Sequence, residues 1–252
     1  MGGGMSKFGV TYGSKAYKLL KATSQNRDRD RDRGGHFANF GAGHSALTAS
    51  TDFFNEHSNS LTWSHGEING EEYDALKWYT GMGYLSINKN MYTVPYNDMP
   101  ASMQQTVDNM EKGLNKFVLT KGIQVTRQCD FKVFGAKSGE KMTMQQIRDY
   151  INKNGINGVL QTDGFLSAGA NNHGAAIEGS GLVIHYKVPP SIGAGAYVNP
   201  ISAHSGANEN EFLFNNKALF KYDTNSMYVD GSGKIHINAM WKGRKRKQSF
   251  VK

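Results

Sequence analysis

A mixed fold of helices and strands, with a strand-rich second half, is predicted by three features of the chain. Apolar residues recur at spacings of three and four in several segments between residues 70 and 151. They alternate at spacing two in most of the remainder up to residue 241. Thirty glycines against five prolines supply tight turns rather than a stiff linker. At 252 residues, 38% of them apolar, the chain is long enough to bury a core.

The elements follow in order. Residues 1–60 are expected to be a loosely organised, partly flexible extension, in which Tyr17, Leu19 and Leu20 fit a short helix. The run Arg27-Asp28-Arg29-Asp30-Arg31-Asp32-Arg33 has no apolar face to bury and reads as a solvated loop. Asn69 and Gly70, followed by Glu71 and Glu72, open a helix carrying Tyr73, Leu76 and Tyr79. Pro100 opens a stronger one, with Met103, Val107, Met110, Leu114 and Phe117 as its apolar stripe. Ile123, Val125 and Arg127 alternate as a strand, which puts Arg127 on the apolar side. An arginine there is costly unless it meets an anion, or else it bends to solvent at the strand end. Met144, Ile147 and Ile151 make a helix stopped by Gly155. Phe165-Leu166-Ser167 reads as a short buried strand, and Leu182, Ile184 and Tyr186 as another ending at Pro189. Tyr197 and Val198 suggest a further strand. Phe212 and Phe214 are expected to turn at Asn215-Asn216 and return through Leu219 and Tyr222. Asp230-Gly231-Ser232-Gly233 reads as a hairpin turn.

Composition excludes several classes. The single cysteine, Cys129, rules out an intramolecular disulfide and a cysteine-based zinc site, and no HExxH is present. Cys129 reads as a buried, inert thiol. No GxGxxG follows a strand and no GxxxxGK[ST] occurs, so neither a dinucleotide fingerprint nor a phosphate-cradling P-loop is indicated. No apolar run is long enough to span a bilayer, and no signal-peptide apolar region is seen. Met1, Gly2 and Ser6 match a myristoylation pattern, or simply form a flexible start before Met5. The net charge is +8, but the end of the chain carries Lys242, Arg244, Lys245, Arg246, Lys247 and Lys252 with no acid. Residues 242–252 are therefore expected to be a basic tail, either solvated or touching an acidic partner or nucleic acid.

The chemistry-bearing stretch is Asn208-Glu209-Asn210-Glu211-Phe212, two carboxylates at spacing two before an apolar strand. If extended, both face one way, and such a pair can divide cation stabilisation from proton transfer. The alternative is a solvated acidic turn. Taken with Arg127 and Phe165-Leu166-Ser167-Ala168-Gly169 upstream, the stretch resembles the ADP-ribosyltransferase exoenzyme family. That family, which includes clostridial actin-modifying and Rho-modifying toxins and several phage enzymes, carries an arginine, an F-x-S-T-S strand and an E-x-E or Q-x-E loop in this order. Tyr79-Thr80-Gly81 with Tyr84, Ile87 and Asn88 is similar to its helical motif, and Val188-Pro189-Pro190 through Tyr197 to its stretch before the catalytic loop. The resemblance spans residues 65–241. The family's Thr and second Ser are Ala168 and Gly169 here.

The resemblance implies an α+β fold of two antiparallel sheets facing across an NAD cleft, with helices from the first half, in a catalytic domain over residues 61–241. It implies NAD as co-substrate without a metal, and an acceptor arginine on a target protein, since E-x-E marks arginine modifiers in the family. It implies a glycosyltransferase-type enzyme with no membrane span, acting in the cytoplasm of a target cell after delivery as a toxin or by phage. Glu211 would meet the ribosyl cation, Ser167 would orient Glu211, and Glu209 would face the acceptor. Arg127 would hold the diphosphate, and Asn88 and Tyr79 would help seat the nucleotide. Two alternatives stand beside this: a degraded domain serving as a virion or binding module, and a transferase whose acceptor is nucleic acid.

Overall fold

The computed structural model describes residues 68–119, 122–170, 181–202 and 211–245. The run Arg27–Arg33, Glu209 and Arg246 onward lie outside these residues. Helix α1, Gly70–Trp78, starts where expected: Asn69 accepts from the Glu72 backbone N–H while Glu72 accepts from that of Asn69, satisfying two orphan donors reciprocally. A π-helical turn, Tyr79–Gly83, leads into α2, Tyr84–Thr93, and α3 follows at Ala101–Asn115. The stripe Val107, Met110, Leu114 and Phe117 is buried. Gly113 lets α1 and α3 approach, since a Cβ there would lie 2.9 Å from the Leu76 side chain. Helix α4, Met144–Asn154, is boxed by Thr143 and Gln146 and ends at Gly155.

The strands are β1 Val118–Leu119, β2 Ile123–Cys129, β3 Val159–Gln161, β4 Leu166–Gly169, β5 Leu182–Val188, β6 Ser191–Ile192, β7 Gly195–Tyr197, β8 Glu211–Phe214, β9 Ala218–Val229 and β10 Ile235–Arg244. Strands β1 and β6 pair alone; the rest run in the order β3-β9-β10-β5-β2-β4-β8-β7. All pairings in this row are antiparallel except β5 with β10. The sequence reading expected two sheets. Among the described residues, the structure joins them at one residue pair, Thr126 opposite Gly169. The halves β3-β9-β10-β5-β2 and β4-β8-β7 turn apolar faces to each other. Phe214 of β8 lies 5.3 Å from Tyr186 of β5 and 5.1 Å from Phe220 of β9, ring centre to ring centre. These rings and Phe212 form the core between the halves.

Two sequence expectations are corrected. Phe212–Phe214 does not form a hairpin with the strand through Leu219 and Tyr222: β8 pairs with β4 and β7, while β9 pairs with β3 and β10. The turn at Asn215-Asn216 carries the chain from one half to the other, because the aromatic rings of the two halves are buried against one another across the core rather than side by side in one half. Strand β10 also runs into the expected basic tail. Arg244 reaches back to Glu111 at 2.9 Å, to Asn115 Oδ1 at 2.8 Å and to both carbonyl oxygens of Asn216, so it is a structural cation and not a free one.

Candidate active site

The site begins with the register of β4 and β8. Ser167 lies opposite Leu213 and Gly169 opposite Glu211, so Ser167, Gly169 and Glu211 share one face while Leu166, Ala168, Phe212 and Phe214 share the other. Ser167 Oγ donates to Glu211 Oε1 at 2.6 Å. Glu211 is only 6% exposed. A carboxylate this deep is tolerated because charge-assisted hydrogen bonds meet it. Ala168, one of the two residues that depart from the resembled motif, is wholly buried on the opposite, core face. The Thr-to-Ala departure therefore removes nothing from the Ser167–Glu211 side. Gly169 lies on that side, is buried, and places no side chain beside Glu211.

Arg127 is half-buried on β2, on the same face as Ile123, Val125 and Cys129, as the alternation predicts. Its Nη1 donates to the Ser167 main-chain oxygen at 2.5 Å, which ties the strand bearing the arginine to the strand bearing the serine. Beyond it opens a cleft of ≈ 730 Å³, lined by Arg127, Asp130, Lys132, Tyr92, Tyr150 and Tyr222 among others. Aromatic walls with a few charged groups suit a nucleoside and its phosphates. Cys129 also lines this cleft, but burial pushes its thiol up to about 11, so it carries little thiolate near neutrality.

Tyr79 and Asn88 act together. Asn88 Oδ1 accepts from the Phe165 N–H at 3.1 Å, and its Nδ2 donates to the Phe165 oxygen at 3.2 Å and to Tyr79 Oη at 3.0 Å. Tyr79 Oη in turn donates to the same Phe165 oxygen at 3.3 Å. Burial first, and then the Glu211 charge, push the Tyr79 phenol well above the usual range, so it remains a donor. These contacts clamp the main chain at the entry to β4, two residues before Ser167. Gly164 makes the clamp fit: a Cβ there would lie 2.7 Å from Asn88 Oδ1.

The structure thus brings five of the six sequence-predicted residues, Tyr79, Asn88, Arg127, Ser167 and Glu211, into one connected set. The sixth, Glu209, lies outside the described residues. Sequence reasoning missed Thr126, His185, His236 and the cleft residues Asp130, Lys132 and Tyr92. The polar side of β5, His185 and Lys187 alternating with Ile184 and Tyr186, was the signal available for the histidines. No group of three His, Cys, Asp or Glu side chains able to hold a metal occurs among the described residues, and no helix among them is long and apolar enough to cross a membrane.

A family model described as ADP-ribosyltransferase exoenzyme matches residues 37–243. The chain belongs to the ADP-ribosyltransferase exoenzyme family. Solved structures carry the same fold. An ADP-ribosyltransferase from Clostridium botulinum matches with a TM-score of 0.60 at 21% identity, covering 76% of this chain and 93% of its own. Plx2a, an ADP-ribosyltransferase toxin from Paenibacillus larvae, matches with a TM-score of 0.59 at 21% identity, over 77% and 93%. C3stau2 from S. aureus, solved with NAD, matches with a TM-score of 0.57 at 19% identity, over 79% and 96%. A search of curated proteins finds no match.

Proposed function

We propose that this exoenzyme-family chain cleaves NAD and transfers its ADP-ribose to an arginine of a target protein. The observation that carries the reading is the 2.6 Å bond from Ser167 to the buried Glu211, beside an arginine at the rim of a nucleotide-sized cleft. Membership of the family and the NAD present in C3stau2 support NAD as the co-substrate.

Arg127 offers a planar fork to the NAD diphosphate. Tyr79 and Asn88 help seat the nucleotide through the β4 entry they hold. The bond between the ribose C1′ and the nicotinamide nitrogen breaks, and nicotinamide leaves with the electron pair. The ribosyl cation that develops is met by the Glu211 carboxylate, whose orientation Ser167 fixes. A guanidinium nitrogen of the target then bonds to C1′, and Glu209 accepts the proton that this nitrogen loses. Glutamate at position 209, where other members carry glutamine, is the basis for naming arginine. By the same family likeness the enzyme acts in the cytoplasm of a target cell.

The test is incubation with labelled NAD and a cell lysate, with and without nuclease, followed by mass spectrometry of the labelled residue and measurement of released nicotinamide. ADP-ribose on arginine with nicotinamide release is expected. Label on nucleic acid, or no nicotinamide at all, would overturn the reading in favour of a nucleic-acid acceptor or a binding module respectively. The Ala168–Gly169 departure is what favours the binding module. Its force is reduced because Ala168 lies on the core face.

A further inference from the structure

One lateral row of residues crosses five strands on the face that carries Glu211. Glu211 is opposite Gly169, Gly169 opposite Thr126, Thr126 opposite His185 and His185 opposite Asn238. Directly opposed residues in a sheet point to the same side. Gly169 has no side chain, so Thr126 is the next side chain to Glu211 along this row, at the pair that joins the two sheet halves among the described residues. Thr126 is 4% exposed.

A hydrogen-bonded chain leads away from it. Thr126 Oγ1 lies 3.3 Å from His185 Nδ1, His185 Nε2 lies 2.9 Å from His236 Nδ1, and His236 Nε2 lies 2.9 Å from Asp230 Oδ2. We propose that Thr126 is a positioning residue for the Ser167–Glu211 pair, with the direction of its hydroxyl proton set by this His185–His236–Asp230 chain. The inference rests on reading that pair as the reacting centre.

The direction follows from counting protons. Hydrogen bonds from His236, then Ser232 and Lys234, hold the Asp230 carboxyl well below the usual carboxylate range, so Asp230 can only accept. His236 then donates from Nε2, and as a neutral ring it presents a lone pair at Nδ1. His185 must donate from Nε2 into that lone pair and presents its own at Nδ1. Thr126 must therefore donate to His185, and its oxygen lone pairs face the place above Gly169. Add one proton, on either ring, and the bond between Thr126 and His185 reverses while the one to Asp230 does not. His185 now donates to Thr126, and the hydroxyl hydrogen turns toward the Glu211 side. A second proton is opposed, because it would set N–H against N–H at 2.9 Å. The protonated form puts both a positive charge and a reversed hydroxyl dipole in the row of the carboxylate that must meet a cation. It is the less active form.

Among the described residues, the other charged and titratable groups on this face include Lys187, Lys221, Lys234, Asp223 and Asp230. Lys187 on β5 acts on His185, and Lys234 donates to Gln128 Oε1 at 2.9 Å; both oppose protonation. Asp230 favours it, as does Asp223, opposite Asn238. The Tyr228 ring stacks on His236 at 4.5 Å.

The test is a titration of the full chain from about pH 8 to about pH 4 by nuclear magnetic resonance, with ¹³C-carboxyl glutamate and ¹⁵N-histidine labels. The Glu211 signal is identified by its loss in Glu211→Gln. At high pH both histidines should show the Nε2–H tautomer. The Glu211 carboxyl shift should step at the pH where the histidine pair takes up its proton. Thr126→Ser should keep that step, Thr126→Val should shrink it by about half or more, and Asp230→Asn should move it down by about one pH unit. In parallel, kcat for NAD hydrolysis should fall over the same step while KM for NAD holds, in the wild type and Thr126→Ser, and should fall by clearly less in Thr126→Val. A Glu211 signal indifferent to the histidines, or an identical step in Thr126→Val, overturns the proposal. If the Glu211 step behaves as described but no nicotinamide is released at any pH, the coupling stands and the transferase reading fails.

Discussion

At the scale of single residues, the site depends on a carboxylate held in place while buried. Glu211→Gln keeps the shape and removes the charge, so NAD cleavage should fall by about 10²–10³. Nicotinamide release measures this, with circular dichroism to check the fold; a variant within twofold of the wild type would remove Glu211 from the mechanism. Arg127 has two duties, a bond to the Ser167 oxygen and a place at the cleft rim. Arg127→Lys supplies one charge but no planar fork, so NAD affinity should be only partly retained, and Arg127→Ala should lose more. Calorimetry with NAD would show equal affinity in all three if this assignment were wrong. Glu209→Gln should separate two activities: arginine transfer drops by about 10²–10⁴ while hydrolysis persists, since water needs little help against a ribosyl cation. Parallel loss of both would mean that Glu209 only shapes its loop.

At the scale of elements, the helical segment from α1 through the π turn to α2 exists to bring Tyr79 and Asn88 onto one strand entry. Asn88 meets both the N–H and the oxygen of Phe165, so Asn88→Ala strands the N–H and leaves the oxygen to Tyr79. A loss of about 1–3 kcal/mol in urea unfolding is expected, from one main-chain N–H left unsatisfied. Because β4 carries Ser167, kcat for NAD cleavage should fall as well. Full activity with unchanged stability would show that the clamp is dispensable.

At the scale of the whole molecule, pH enters through the back of the sheet. Burial, then His236 and Lys187, lower His185 from 6.5 to about 4. The unfolded chain takes up a proton on falling through pH 6.5 that the folded chain declines until about pH 4. Stability is therefore fully present above pH 6.5 and is lost as the pH falls through this window, up to roughly 3 kcal/mol. Urea unfolding should show about 2 kcal/mol of this lost between pH 7.5 and pH 5, and His185→Gln should flatten the difference. An equal slope in both proteins would take His185 out of the account.

Periodicity and caps alone determined the helices at residues 70, 101 and 144, the strand carrying Arg127 and the hairpin at Asp230, because a capping box, an apolar stripe and a turn are local matters. The resemblance to the family's ordered motifs marked Tyr79, Asn88, Arg127, Ser167 and Glu211 as candidates for the same reason: a motif is read along the chain. What only tertiary structure decided is who meets whom. Alternation says that a strand has two faces, not which half of the sheet it joins. The expected β8–β9 hairpin therefore gave way to a crossing, driven by Phe214, Tyr186 and Phe220 burying against one another. Likewise Ala168 could be judged harmless only once its face was known, and Thr126, His185 and His236 acquired meaning only when register placed them in line with Glu211, since hydrogen bonds between strands depend on alignment across the sheet and not on spacing along the chain.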